Sequence, residues 1–342
     1  MAENYVIMQA FEWYLENDGN YYKWLKEEVQ KLSENGIDAL WLPPLCKATN
    51  TDDIGYGIYD LGDFDQKGDI RTKYGTVDEL KAAIEALHGN DIKVYADIIM
   101  NHKAGADFTE EMTAIEVDEN DRNHEVSEPH TIESWTGFNF PARNGKYSDF
   151  EWNHHHFSGV DFDQKEGKTA IFKIIGENKH WADGVSDEKG NYDYLMFADI
   201  DYKHPDVHDE LLKWGSWLVD YIQIDGMRFD ALKHIQDAFI VDFIKYVEET
   251  SDRHIYFFGE YWVYDKNKEN SYLYQTKYHT DLFDVALHYH LAEASTNAAN
   301  YDMRKVFDNT LVQEHPGIAV TFVDNHDSQP GQSLESFVQT LV

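Results

Sequence analysis

The sequence predicts an α/β fold in which parallel strands roll into a barrel. Short apolar runs alternate with amphipathic helical patterns, the rhythm of repeated strand–helix units. At least seven such runs occur, which favours a closed barrel over an open sheet. The 342 residues, 42% hydrophobic and 15% aromatic, are enough for one large α/β barrel or two medium domains, with a substantial core.

The elements follow in order. An apolar run, "YVIMQAF" (Tyr5–Phe11), precedes an amphipathic helix over Tyr21–Glu34 that stops at Asn35-Gly36. "DALWL" (Asp38–Leu42) is the next strand and ends at Pro43-Pro44. A helix over Val77–Leu87 leads to the strand "KVYADIIMNH". Later come a helix over Val207–Asp220, the strand "IDGMRFD", a helix over Ile235–Glu249, the strand "IYFFGE", and the runs "DLFDVAL" and "GIAVTFVDNHD". Between His102 and Asp199 the rhythm breaks into a stretch rich in Asp, Asn, Gly, His and aromatics. It is too long for an ordinary connection, and reads as an irregular or β-containing unit inserted after the third strand.

Composition narrows the function. A net charge of −35 repels nucleic acid and anionic membranes, so neither is an expected partner, whereas a neutral polymer or a cation is compatible. The single cysteine, Cys46, permits no intrachain disulfide and is read as a small packed residue. No basic leader with an apolar core opens the chain, and no run is long enough to span a bilayer, so a cytoplasmic location is expected.

Strand parity locates the chemistry. Side chains alternate across a strand, so Ile224, Gly226, Arg228 and Asp230 share one face. If that face lines the barrel, Arg228 and Asp230 point inward at the rim where barrel enzymes carry their sites. Buried charges are costly unless paired or used, and a cation beside a carboxylate favours its charged form. A structural ion pair would look the same, and this motif alone leaves both readings open. Three further apolar runs end in acids: Glu260 beside Gly259 and Trp262, the group Asp324, His326 and Asp327, and Asp97 followed by Asn101 and His102. A glutamate set among aromatics keeps its proton more readily, as a general acid must.

Taken together, "DIIMNH" (97–102), "GMRFDALKH" (226–234), "FGEYW" (258–262) and "FVDNHD" (322–327) resemble, in order, the four sequence regions of the α-amylase family. "YLMFADIDYKHPDV" (194–207), "MQAFEWYL" (8–15) and "GYGIYDLGDF" (55–64) fit as well. The resemblance extends along the whole chain and is nearest to the bacterial liquefying and intracellular type.

The resemblance implies a (β/α)8 TIM-type barrel, incomplete at its C-terminal end, with domain B inserted after strand 3. The implied divisions are residues 1–101, domain B over 102–200, and the second barrel part over 201–342. An eighth βα unit and a C-terminal β domain would be absent, and "SLESFVQTLV" would begin helix seven. The implied activity is endo-acting, retaining hydrolysis of α-1,4-glucosidic bonds in starch, glycogen and maltooligosaccharides. Asp230 would be the nucleophile, Glu260 the acid/base, and Asp327 a stabiliser of the distorted sugar. Arg228 would orient Asp230, His102 and His326 would bind hydroxyls, and Tyr56 would be a stacking platform. Lys233, His234 and Trp262 would lie on the leaving-group side.

A structural Ca²⁺ is also implied, with Asn101, Asp193, Asp199 and the carbonyl of His234 as ligands; Ca²⁺ takes six to eight hard oxygens. Two further aspartates of secreted relatives align with Ser158 and Ala182, which implies one calcium here and not a linked cluster. The run "HHH" (154–156) lacks the helical spacing of a zinc hydrolase and is read as loop histidines. A related glucanotransferase or maltooligosaccharide-forming enzyme shares these residues, and a non-catalytic glucan binder is the alternative from another class.

Overall fold

The computed structural model describes residues 5–65, 67–143, 145–328 and 332–334. Seven parallel strands follow one another in space as in sequence: β1 (Ile7–Gln9), β2 (Ala39–Leu42), β5 (Lys93–Ile98), β12 (Gly226–Phe229), β13 (Tyr256–Gly259), β14 (Asp281–Phe283) and β15 (Ala319–Val320). This curled sheet carries seven of the strands of a (β/α)8 barrel, with helices α1 (Tyr21–Glu34), α2 (Val77–His88), α3 (Pro205–Ile222), α4 (Asp237–Thr250), α5 (Lys266–Gln275), α6 (Val285–Asn297) and the short α7 (Leu311–Glu314) in the crossovers. At the end of β1, Gln9 Oε1 accepts from the backbone N–H of His326, which lies past β15, at 3.3 Å.

The helices form where the sequence allows amphipathic stripes. α2 opens with a capping box in which Thr76 and Glu79 satisfy each other's backbone N–H. α3 carries Pro205 in its first turn and buries Val207, Leu211, Trp214, Leu218 and Ile222 at helical spacing. It ends on Gln223 in the left-handed conformation.

Inside the sheet, register stacks side chains in layers. Trp41 lies opposite Tyr95, and Tyr95 opposite Gly226. Gly226 is required there, because a Cβ would come within 2.6 Å of Tyr95 Cδ1 and of the Tyr256 carbonyl. One layer higher, Arg228 lies opposite Asp97 on β5 and Phe258 on β13. Inter-strand register therefore places an arginine and an aspartate side by side within the sheet's concave face.

The stretch after β5 is more regular than its composition implies. A six-stranded antiparallel sheet runs β6 (His102–Lys103), β11 (Ala198–Ile200), β9 (Phe157–Asp163), β10 (Lys168–Ile174), β7 (Phe108–Val117), β8 (His130–Gly137). A further antiparallel pair, β3 (Lys47–Ala48) and β4 (Ile58–Asp60), follows β2. Two expected runs are shorter than read. "DLFDVAL" divides into β14 and the first turn of α6, because Asp284 caps the helix through the Leu287 N–H. "GIAVTFVDNHD" is strand only at Ala319–Val320, so Asp327 lies in the following loop. The expected start of helix seven falls mostly outside the described residues.

Candidate active site

The strand ends bring the acids together around one arginine. Arg228 is fully buried, and its Nη1 donates to Asp97 at 2.9 Å and to Asp230 at 2.7 Å. Its Nη2 donates to Glu260. The carboxyls of Asp230 and Glu260 thus sit on the two terminal nitrogens of one guanidinium, 13% and 16% exposed. The guanidinium packs over the Trp41 ring, 4.8 Å from its centroid. Backbone bonds fix both acids: Asp230 N–H donates to the Ile98 carbonyl and Glu260 N–H to that of Phe229. Ala231 takes a left-handed φ of 54° directly after Asp230, and its neighbour Leu232 donates to the Glu260 carbonyl. A non-glycine residue held there is strained backbone at the point where the strand turns away from the site.

One buried cation faces three acids, of which Asp97 is buried and Asp230 and Glu260 half-buried, and the proton balance follows. Burial pushes the Glu260 carboxyl up to about 8; Arg228 opposes this, and the negative charges of Asp230, Asp327 and Asp97 add to it. Burial likewise raises Asp97, again against Arg228. Arg228 itself loses by desolvation but is held above its ordinary value by Asp97, Glu260 and Asp230.

A second group forms the adjoining wall. The Tyr56 hydroxyl lies 2.8 Å from Asp97 and 2.7 Å from His326 Nε2, and the two rings stack at 5.3 Å. Trp13 stacks on both at 6.2 Å. His326 Nε2 also lies 3.1 Å from Asp327. Burial raises Asp327, but its hydrogen bond and attraction to His326, together with Arg228, outweigh this and hold it below its ordinary value.

The remaining expected residues divide into two sets. Lys233 pairs with Glu188 at 3.0 Å and donates to the Trp262 carbonyl at 3.1 Å, so these three share one rim. His102 and His234 are closed off. His102 is 1% exposed, with Nε2 on the Tyr56 carbonyl and Nδ1 facing the Asn101 amide. His234 Nδ1 bonds the Tyr192 carbonyl at 2.7 Å, and burial pushes the ring down to about 3. Both rings are fixed by protein groups. Asp97, Trp13, Gln9 and Trp41 have no role assigned from sequence, although Asp97 stands at the end of an apolar run.

Beside the acid cluster lies a pocket of oxygens. Asn101 Oδ1 and Asp193 Oδ1 are buried without a hydrogen-bond partner. Asp199, paired across the strands with His102 and interacting with Asp193, is also buried and accepts from the Ser158 hydroxyl, while Asp193 accepts from the Ala182 N–H at 2.8 Å. Burial pushes Asp193 up to about 7, with the charge of Asp201 adding to it, and burial raises Asp199 as well, with the charge of Asp193 adding there. Orphaned buried acceptors and crowded acids are what a hard divalent cation would satisfy. Nearby, Lys179 places its ammonium 2.5 Å from Asp201.

His156, His204 and Asp206 also approach one another, with ligand atoms within 4.8 Å. His156 Nδ1 accepts from the Asn153 N–H at 3.1 Å, so the neutral ring carries its proton on Nε2, where it is a donor and not a ligand. Cys46 is buried and its thiol is pushed up by burial, far from a reactive thiolate. No helix among the described residues is long and apolar enough to cross a membrane.

The chain is similar to known proteins along most of its length. The family model described as "Alpha amylase, catalytic domain" matches residues 22–335. An alpha-amylase of Bacillus licheniformis is 51% identical over 98% of this chain and 66% of its own length. A glucan 1,4-alpha-maltohexaosidase of Bacillus sp. (strain 707) is 48% identical over 98% of this chain and 66% of its own. The cytoplasmic alpha-amylase of Escherichia coli (strain K12) is 41% identical over 98% of this chain and 69% of its own. The chain thus spans about two thirds of the length of these relatives. Among solved structures, an alpha-amylase from Geobacillus thermoleovorans complexed with acarbose superposes with a TM-score of 0.62 at 18% identity, covering 98% of this chain and 64% of that one. The chain belongs to the alpha-amylase catalytic-domain family.

Proposed function

We propose that this chain carries the active site of an endo-acting α-1,4-glucan hydrolase that works with retention. The observation that carries this reading is the shared guanidinium of Arg228, which sets Asp230 and Glu260 on either side of one position. Retaining glycosidases need two carboxyls roughly 5–5.5 Å apart, one to attack and one to protonate. Asp230 attacks the anomeric carbon as Glu260 gives its proton to the glycosidic oxygen, and the shortened glucan leaves. Glu260, now ionised, takes a proton from water as the water displaces Asp230, and both carboxyls return to their starting states. Asp327, held by His326, accepts hydroxyls of the distorted sugar, and Tyr56 stacks against its face. His102 acts by holding the Tyr56 loop through its carbonyl.

Calcium is part of the same reading. Asn101, Asp193, Asp199 and the carbonyl of His234 would hold it, and it would supply positive charge that ties the 102–200 segment, as domain B, to the barrel. The Lys179 ammonium beside Asp201 opposes a second cation there, in favour of a single calcium. The substrate would be starch, glycogen or maltooligosaccharide, and the relation to the Escherichia coli protein favours action in the cytoplasm. A maltooligosaccharide-forming specificity is the second reading, favoured by the 48% identical maltohexaosidase. Reducing-end release from starch tests the first claim: wild type is expected to be active, and a folded Asp230→Asn variant inactive. Undiminished activity of that variant would remove Asp230 as nucleophile, and the product spectrum of the wild type separates the two specificities.

A further inference from the structure

Past Glu260 the chain runs through Trp262 and Tyr264 before α5 begins, and α6 sets Tyr289 against them. The three rings stand edge to face, Trp262–Tyr289 at 6.3 Å and Tyr264–Tyr289 at 5.6 Å, both at 79°. Each is pinned by its polar edge. The Trp262 indole N–H donates to the Tyr289 hydroxyl at 3.2 Å. Tyr264 bonds His290 Nε2 at 2.7 Å, and His290 Nδ1 faces the Val306 carbonyl at 2.9 Å. A nitrogen facing a carbonyl must be the donor, so His290 Nε2 accepts and the Tyr264 hydroxyl donates.

Tyr264 nonetheless leaves 58% of its surface open. It faces a hollow of about 490 Å³ that Tyr289, Trp262, Lys233, Glu188 and Glu293 complete. Fixed aromatic faces with acids and an ammonium at the rim suit a neutral sugar, whose C–H face stacks while its hydroxyls bond outward. Rings already held in place lose little freedom when they bind.

The position assigns the end of the glucan. Glu260 protonates the leaving oxygen, so the departing segment lies on its side, and Trp262 is two residues beyond. The Tyr56, Trp13 and His326 stack marks the other side, next to Asp327. We infer that Tyr264 and Tyr289 hold the reducing-end segment of the glucan past the glucose adjoining the cleaved bond, and so set where along a chain the cut falls. The inference rests on the hydrolysis proposed above.

Two substrates test it. Maltoheptaose reaches the Tyr264 wall, whereas para-nitrophenyl α-maltotrioside cut at its aryl bond places nothing there. For Tyr264→Ala, kcat/KM on maltoheptaose should fall about threefold to tenfold, the loss of one aromatic contact, while nitrophenol release stays at the wild-type rate. Maltoheptaose cleavage should also move toward the reducing end, and Tyr264→Phe, which keeps the ring, should hold the wild-type pattern. An unchanged maltoheptaose pattern in Tyr264→Ala, or a parallel loss on both substrates, would overturn the inference and leave hydrolysis standing. A wild type that releases no nitrophenol and cleaves no maltoheptaose would overturn both.

Discussion

Arg228 grips Asp230 and Glu260 with the two arms of its guanidinium while its Nη1 also holds Asp97. A lysine would carry the same charge but offers no planar fork, so it cannot hold three acids in these places. Arg228→Lys is expected to lower kcat on maltoheptaose by about a hundredfold or more, comparable to losing an aimed electrostatic group, with circular dichroism near that of wild type. A loss below about threefold would mean the fork does not position the two acids.

The pH profile follows from the same cluster. As the proposed acid, Glu260 has to enter the reaction protonated, and burial pushes it up to about 8 against the pull of Arg228. Activity should therefore hold through neutral pH and fall as pH rises through about 8. The limb belongs jointly to Asp97 and Glu260, because Arg228 holds both. The profile of kcat/KM on an uncharged maltooligosaccharide reads it, and a fall already complete by about pH 5 would contradict a protonated Glu260.

Glu269 makes a separate prediction about stability. It is fully buried in α5, and neither carboxyl oxygen has a hydrogen-bond partner. Burial, with Asp284 and Asp265 adding to it, pushes the group up to about 8. The folded state thus keeps a proton that the unfolded chain releases at lower pH. The contribution is present in full below the ordinary carboxylate range and is lost as pH rises through about 8. Glu269→Gln has nothing to ionise, so its melting temperature should gain on that of wild type between about pH 6 and about pH 9. A constant difference across that range would show that Glu269 does not carry the proton.

The oxygen pocket predicts metal-linked stability. Chelation should lower the melting temperature and added Ca²⁺ restore it, by about 3 kcal/mol at a hundredfold excess over Kd. Asp193→Asn should shift that response to higher calcium, because it removes a charge beside an already orphaned acceptor. No response to chelator, with no metal by elemental analysis, would refute the site.

The parts of this molecule legible in sequence are those governed by period and register. Arg228 and Asp230 fall on one face by parity alone, and the barrel rhythm follows from α1, α2, α3 and α4 alternating with apolar runs. The long β7–β8 hairpin was not legible, because its strands run through charged sequence such as "FTEEMTAIEV", where no clean alternation survives. Asp97 was visible as a strand-end acid, but its place opposite Arg228 depends on inter-strand register, which one chain's periodicity does not set. His102 and His234, expected beside the substrate, also bond the Tyr56 and Tyr192 carbonyls, a matter of side-chain direction that a motif does not encode.

The central claim is that Asp230 forms a bond to the sugar while Glu260 supplies the proton. Its most direct test is peptide mass spectrometry of a Glu260→Gln variant reacted with a ring-fluorinated α-maltosyl fluoride, whose fluoride leaves without help from an acid. One maltosyl unit bound to the peptide carrying Asp230 is the predicted result. A sugar bound to another carboxyl, or no adduct from a variant that still consumes the fluoride, would contradict it.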